Sequence, residues 1–111
     1  MRMMLKVSMP TEASNVAFKD GSLGRALEGA RERLKPEAAY FFPEDGKRTA
    51  LYVFDMQNEA QIPVVLEPLF HAVNANVSLI PVMNADDVGD SGIHRGLQHG
   101  RPAVRVDQNR S

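Results

Sequence analysis

The 111-residue chain contains no cysteine, which excludes disulfide bonds and thiolate metal sites. Its net charge at pH 7 is −1, so nothing in the charge points to nucleic acid or an anionic membrane as a partner. No stretch approaches the roughly 20 apolar residues that a membrane span requires. The first residues also lack the apolar run of a signal peptide. These absences predict a cytoplasmic protein. The chain has no dinucleotide fingerprint and no glycine-rich phosphate loop, so we also expect no cofactor and no metal.

What is present is the composition of an ordinary globular protein, with 43% hydrophobic and 24% charged residues. All the aromatic residues precede Gly89, whereas the segment from Gly89 to Ser111 is glycine-rich and has more arginines than acids. That segment cannot bury enough apolar surface to offset the entropy of ordering it. We therefore predict a folded domain over residues 1–88 and a poorly ordered C-terminal tail over residues 89–111.

The order of the predicted elements is the most informative positive feature of the chain. Alternating and continuous apolar patterns predict strands at residues 3–9, 37–42, 49–56 and 77–83. Apolar stripes predict helices within residues 11–34 and 58–74. This β-α-β-β-α-β order is typical of a ferredoxin-like fold, which is an α+β domain with a four-stranded antiparallel sheet and two helices on one face.

Glycine and proline predict interruptions within these elements. The segment 20–22 (Asp-Gly-Ser) supplies a helix stop and a new N-cap at Ser22, so the first helical region should be broken. Pro68 lies inside the second helical region, where it predicts a kink or a restart of the helix. Pro81 places the last strand at a sheet edge or near the end of the strand.

The strongest local signal is Asp45-Gly46, which lies between two β-rich runs and predicts a type I′ hairpin turn. With these two residues as the turn, Tyr40 pairs with Leu51 and Ala39 pairs with Tyr52. Both faces of the hairpin are then apolar or aromatic, although an antiparallel sheet with one solvated face should alternate with polar residues. Since two helices cover only one face, we predict a homodimer in which a second copy covers the other face.

Four segments of the chain carry a family resemblance. They are MMLKV (3–7), KDG (19–21), KPEAAYF continuing through EDGKRT (35–49) and PVMNADD (81–87). In these segments the chain resembles a family of small bacterial proteins of unknown function. Its topology resembles the dimeric α/β-barrel superfamily, which includes muconolactone isomerases and cofactor-free antibiotic-biosynthesis monooxygenases. The resemblance covers roughly residues 3–88 and implies a dimeric α/β barrel, but it transfers no specific chemistry.

Four side chains are candidates for a ligand site. Tyr40 and Tyr52 lie on neighbouring strands with opposite orientation, so one should face the helices and the other the barrel interior. A buried tyrosine requires a partner for its hydroxyl, either a neighbouring polar group or a ligand. Lys6 is either a cation in the barrel interior, which needs an acid or an anionic ligand, or a cation at the rim that reaches water. Asp55 could pair with Lys6 or cap the turn into the second helical region.

The remaining titratable residues give no catalytic signature. His71 falls opposite the apolar stripe of its helix and is predicted to be an ordinary surface residue. His94 and His99 lie in the glycine-rich tail without further donors, so no metal site is predicted there. Asp86-Asp87 is interpreted as the start of a short helix, where acids favour the N-terminal end of the helix dipole.

Three functional hypotheses follow from these observations. The leading one is a protein that binds a small, largely apolar metabolite between the sheet and the helices of a dimeric barrel. The superfamily resemblance implies the alternative of a cofactor-free isomerase or monooxygenase, which would need Tyr40, Tyr52 or Lys6 to project into a closed cavity. A filled barrel without a polar-lined cavity would instead favour a structural or assembly protein without a ligand.

Overall fold

Four strands and four helices lie within residues 1–90, the part of the chain that the computed structural model describes. In chain order they are β1 (Arg2–Met9), α1 (Thr11–Asp20), α2 (Ser22–Leu34), β2 (Ala38–Glu44), β3 (Lys47–Asp55), α3 (Gln61–Val73), β4 (Asn76–Pro81) and α4 (Ala85–Asp90). Each predicted strand and each predicted helical region has a counterpart in this order.

The strands form one four-stranded sheet in the order β2-β3-β1-β4, with all neighbouring pairs antiparallel. This confirms the α+β class and the antiparallel sheet, and it is compatible with a ferredoxin-like arrangement. β4 lies at an edge of the sheet, as Pro81 predicted, because an edge position tolerates a residue without a backbone N–H.

The hairpin between β2 and β3 confirms the prediction made from Asp45-Gly46. Both residues have positive φ, 54° at Asp45 and 75° at Gly46, which is the backbone that a type I′ turn requires. The register is also the predicted one, with Tyr40 opposite Leu51 and Ala39 opposite Tyr52. A two-residue turn therefore fixes which side chains of the hairpin share a face.

One face of the sheet forms the hydrophobic core with the helices. Alternate residues of β1 are buried, and they pack with buried residues of β3, α1, α2 and α3. The shared cluster contains Met3, Leu5, Val7, Met9, Ala17, Leu23, Ala30, Leu34, Ala50, Tyr52, Phe54, Val65, Leu69 and Val73. Since α1, α2 and α3 all contribute to this cluster, they lie on the same face of the sheet.

The first helical region is broken at Gly21, as predicted, but the predicted cap is wrong. Gly21 adopts a left-handed conformation with φ of 86°, which separates α1 from α2. The N-cap position of α2 is Gly21 rather than Ser22. The first bond of α2 runs from the N–H of Arg25 to the carbonyl of Gly21, so Ser22 is already the first residue of the helix. The carboxylate of Asp20 accepts the backbone N–H of Ser22 at 2.8 Å, which would otherwise have no partner in the helix.

The second helical region forms a single helix through Pro68. α3 runs from Gln61 to Val73, so the predicted restart does not occur. Pro68 cannot donate to the carbonyl of Val64 one turn earlier. Val64 is an exposed residue, so water can satisfy that carbonyl and the helix continues.

Part of the predicted tail lies outside the described residues. α4 continues past Val88 and ends at Asp90, so the first two tail residues belong to a helix. Residues 91–111, including His94 and His99, are not among the described ones. Within residues 1–90, no helix combines the length and apolar character needed to cross a bilayer.

Candidate functional site

A groove between the first two helices and the β2–β3 hairpin combines apolar walls with a few polar groups. We call it the helix–hairpin groove, and its volume is about 670 Å³. The larger residues that line it are mainly apolar and come from both walls, with a few polar residues among them. They are Met9, Thr11, Asn15, Phe18, Leu23, Leu27, Phe41, Phe42, Pro43, Lys47, Arg48 and Thr49.

Two exposed phenylalanines stand on opposite walls of this groove. Phe18 of α1 is 67% exposed and Phe41 of β2 is 57% exposed. Phe41 belongs to the helix-facing side of the sheet, since it pairs with the buried Ala50. Its ring contacts that of Tyr52 edge to face, with centroids 6.0 Å apart. Phe41 is thus anchored on the core along one edge, and much of its remaining apolar surface faces solvent.

Arg48 is the polar centre of the groove. It occupies the helix-facing side of β3 opposite Met9. Its Nη1 donates to Ser14 Oγ and to Asn15 Oδ1, both at 2.8 Å. The guanidinium carbon lies 5.6 Å from the centroid of the Phe18 ring, within the range of a cation–π contact. Within residues 1–90, Arg48 forms no ion pair, so neutral groups hold its side chain without compensating its charge.

The opposite face of the sheet, which we call the outer sheet face, is a second surface with apolar character. It lies away from α1, α2 and α3. Tyr40 is 60% exposed and Ile80 is 43% exposed, and other apolar residues of this face are half-buried. The apolar set on this face is Met4, Ala38, Tyr40, Phe42, Leu51, Val53 and Ile80.

Lys6 lies on the outer sheet face beside Leu51, which pairs in turn with Tyr40. Its Nζ is 2.6 Å from Glu44 Oε1, and both side chains are partly exposed. The predicted pair between Lys6 and Asp55 is wrong. Asp55 lies opposite Arg2 on β1. Arg2 is four residues before Lys6, so the positions of Asp55 and Lys6 are roughly 13 Å apart along the strands.

Asp55 instead pairs with the N-terminal ammonium at 2.7 Å. Its carboxylate also accepts a hydrogen bond from the Nε2 of Gln57 at 3.2 Å, in the segment that leads to α3. The hydrogen bond and the charge of the ammonium lower the pKa of Asp55 below its ordinary value. Asp55 is therefore a surface partner of the chain's own amino group and of the following turn.

Tyr52 faces the helices and is fully buried. Its hydroxyl donates to the carbonyl oxygen of Leu27 at 3.3 Å. Burial raises the pKa of Tyr52 to about 12. Of the four predicted site residues, Lys6, Tyr40 and Asp55 share the outer sheet face, whereas Tyr52 belongs to the core. The four side chains do not converge on one site.

A polar cluster at the start of β1 attaches α4 to the sheet. Arg2 donates through Nε to Glu37 at 2.9 Å and through Nη1 to Asp87. Asn84 and Asp87 cap the helix reciprocally, because each side chain accepts the backbone N–H of the other, at 2.8 and 3.1 Å. This confirms that Asp86-Asp87 begins a short helix. The hydrogen bond from Asn84, followed by that from Arg2, lowers the pKa of Asp87.

His71 is a surface residue, as predicted, and pairs with Glu67 one turn earlier at 3.3 Å. No group of three or more histidine, aspartate or glutamate side chains in residues 1–90 has the geometry to hold a metal ion. Between the sheet and α3 there is a small apolar pocket lined by residues such as Leu5, Phe54 and Val65. Its volume of about 10 Å³ corresponds to about one water molecule.

Sequence reasoning missed the three residues that define the helix–hairpin groove, namely Phe18, Phe41 and Arg48. One signal was available for Arg48. Strand alternation places it on the same side of β3 as Ala50 and Tyr52, where a charged residue facing the helices is unusual. Phe18 gave no such signal, because its contact with Arg48 joins residues far apart in the sequence.

Compared with known proteins, the chain matches no family model, and no curated protein matches it either. The function proposed below therefore depends on the geometry of the chain itself.

Proposed function

We propose that the protein binds a small, largely apolar metabolite in the helix–hairpin groove. The observation that carries this proposal is the pair of exposed phenylalanines on opposite walls, Phe18 and Phe41, beside a single ordered guanidinium. Small-molecule sites are typically 300–1,000 Å³ in volume, with apolar walls and a few polar groups that orient the ligand. The groove has this volume and this composition.

We further propose that the protomer is ferredoxin-like and forms a homodimer through the outer sheet face, as in a dimeric α/β barrel. The element order and the strand order support the protomer. The apolar outer face, with Tyr40 and Ile80 exposed, supports the dimer, because contiguous apolar surface of this kind marks an interface. In such a dimer the helix–hairpin groove remains accessible, since it lies on the helix side of the sheet.

A structural or assembly role is the second candidate function. It is favoured by the tight packing between the sheet and α3, where the apolar pocket admits about one water molecule. A cofactor-free enzyme would need a buried polar side chain that projects into a cavity. The hydroxyl of Tyr52, the buried tyrosine, is instead bonded to the carbonyl of Leu27, which favours binding over catalysis.

A thermal-shift screen of aromatic and lactone-like compounds tests the binding proposal, followed by calorimetry on each compound that raises the melting temperature. Phe18→Ala and Phe41→Ala remove one wall each and should weaken binding by about 10-fold or more. Phe70→Ala is the matched control, because Phe70 is a partly exposed phenylalanine of α3 outside the groove. Equal affinity in all three variants would contradict the groove as the binding site.

A further inference from the structure

We infer that the ligand of the helix–hairpin groove carries a carboxylate, which Arg48 binds while the apolar part of the ligand lies between Phe18 and Phe41. The inference rests on the proposed function and adds the chemical class of the ligand to it. It depends on the charge of the groove, on the partners of Arg48 and on the geometry of its guanidinium.

The charged residues that line the groove are all positive. Among the described residues that line it, the ionised side chains are Lys47 and Arg48, and no acid is present. Some other cationic side chains of the fold pair with carboxylates. Arg2 pairs with Glu37 and Asp87, Arg31 pairs with Glu28, and Lys6 pairs with Glu44. The groove therefore has an uncompensated positive charge at a position surrounded by apolar surface.

Neutral groups position Arg48 without neutralising it. Ser14 Oγ and Asn15 Oδ1 both accept from the same nitrogen, Nη1. Ser14 is fully buried, and its hydroxyl also donates to the carbonyl of Thr11 at 3.3 Å, so its own orientation is fixed. The ring of Phe18 lies against the guanidinium. A side chain with high rotamer entropy is thus ordered before any ligand arrives, which lowers the entropic cost of binding.

The remaining donors of Arg48 have the arrangement that a carboxylate needs. Nε and Nη2 make no hydrogen bond to another residue in the described part of the chain, residues 1–90. These two nitrogens form one edge of the planar guanidinium, with parallel N–H groups that match the two oxygens of a carboxylate. A bidentate bond on this edge leaves the bonds of Nη1 to Ser14 and Asn15 in place.

The test compares an acid with its uncharged isostere, 4-phenylbutanoate with 4-phenylbutanamide, by calorimetry at pH 7 and low salt. Groove binding is confirmed independently from the amide shifts of ¹⁵N-labelled protein. On the native protein we expect the acid to bind about 10- to 100-fold more tightly than the amide, the range of a charge-assisted bidentate bond. Added salt should reduce this preference, because it screens the partly exposed charge.

Three variants separate the effect of the charge of Arg48 from any effect of the substitution on the fold. Arg48→Gln should abolish the preference for the acid, because it should weaken binding of the acid far more than binding of the amide. Asn15→Asp keeps the guanidinium but places a carboxylate at the oxygen position that lies 2.8 Å from Nη1. It should abolish the preference in a stable fold, which keeps the inference testable even where Arg48→Gln destabilises the protein. Arg33→Gln is the matched control, because Arg33 is an exposed arginine of α2 outside the groove, and it should keep the preference.

The failure of this inference and that of the proposed function are distinguishable. If the acid and the amide both shift groove resonances and bind equally well, the groove binds apolar ligands and the carboxylate inference is overturned. A preference for the acid that survives in Asn15→Asp also overturns it. If neither compound shifts groove resonances at millimolar concentration, the proposed function is itself overturned.

Discussion

Alkaline pH should destabilise the protein through Tyr52. Its phenol is buried in the core, and burial raises its pKa from 10.0 to about 12. An unfolded chain ionises this group near pH 10, whereas the folded chain keeps the proton until about pH 12. Between these values the unfolded state binds fewer protons than the folded state, so stability falls as the pH rises. A difference of about two between the pKa values corresponds to about 2–3 kcal/mol in the free energy of unfolding.

Tyr52→Phe removes this ionisation and is the matched variant. At pH 8 it should be less stable than the native protein by about 1 kcal/mol, because the hydrogen bond to Leu27 is lost. Between pH 10 and 12 the native protein loses about 2–3 kcal/mol of its free energy of unfolding, whereas Tyr52→Phe does not. The curves of unfolding free energy against pH for the two proteins should therefore cross in this range. Urea denaturation followed by circular dichroism at pH 8, 10, 11 and 12 measures both curves. Parallel curves over this range would refute the argument.

Three further predictions concern the interface, the hairpin and the polar cluster. Tyr40→Asp should convert the proposed dimer into a folded monomer, because Tyr40 is exposed in the protomer and an unpaired charge is costly in an apolar interface. Light scattering measures this change in mass, and a native protein with a mass of about 12 kDa in solution would contradict the dimer. Gly46→Ala should lower the free energy of unfolding by about 1–2 kcal/mol; the added Cβ meets no atom within 4 Å, but φ at this position is +75°, which disfavours any residue with a Cβ. Gly24→Ala is the control, because Gly24 lies in a helix where the added Cβ also meets no atom, and it should not destabilise the fold. Asp87→Asn should lower the melting temperature at pH 7, and the difference should close as the pH falls below about 4, because a carboxylate with a lowered pKa stabilises only while ionised.

The parts of the fold that sequence analysis predicted depend on local signals. Asp45-Gly46 fixes the turn type, and the turn type fixes the register that places Tyr40 and Tyr52 on opposite faces. Gly21 predicted the break between the first two helices for the same reason, since the left-handed conformation is a property of one residue. The break was predictable, but the cap was not, because Asp20 and Ser22 are both residue types that cap helices, and in the structure the Asp20 carboxylate accepts the backbone N–H of Ser22.

The candidate site depends on contacts between distant parts of the chain, and this is why sequence reasoning missed it. Arg48 meets Ser14, Asn15 and Phe18 only after the hairpin folds back against α1. The partner of Lys6 is likewise set by the register of three strands, and the predicted Asp55 lies too far along β3 to reach it. Side-chain pairs of this kind become predictable once the alignment of the strands is known.

β1 leaves the ribosome before the other three strands of this sheet, and it lies inside the sheet with β3 and β4 as its neighbours. Met3 pairs with Phe54 on one side and with Pro81 on the other, so both partners emerge long after it. Until residue 81 has left the exit tunnel, a central strand has at least one unpaired backbone edge, which is a template for association with other chains. We expect the sheet to be completed only after β4 has been released.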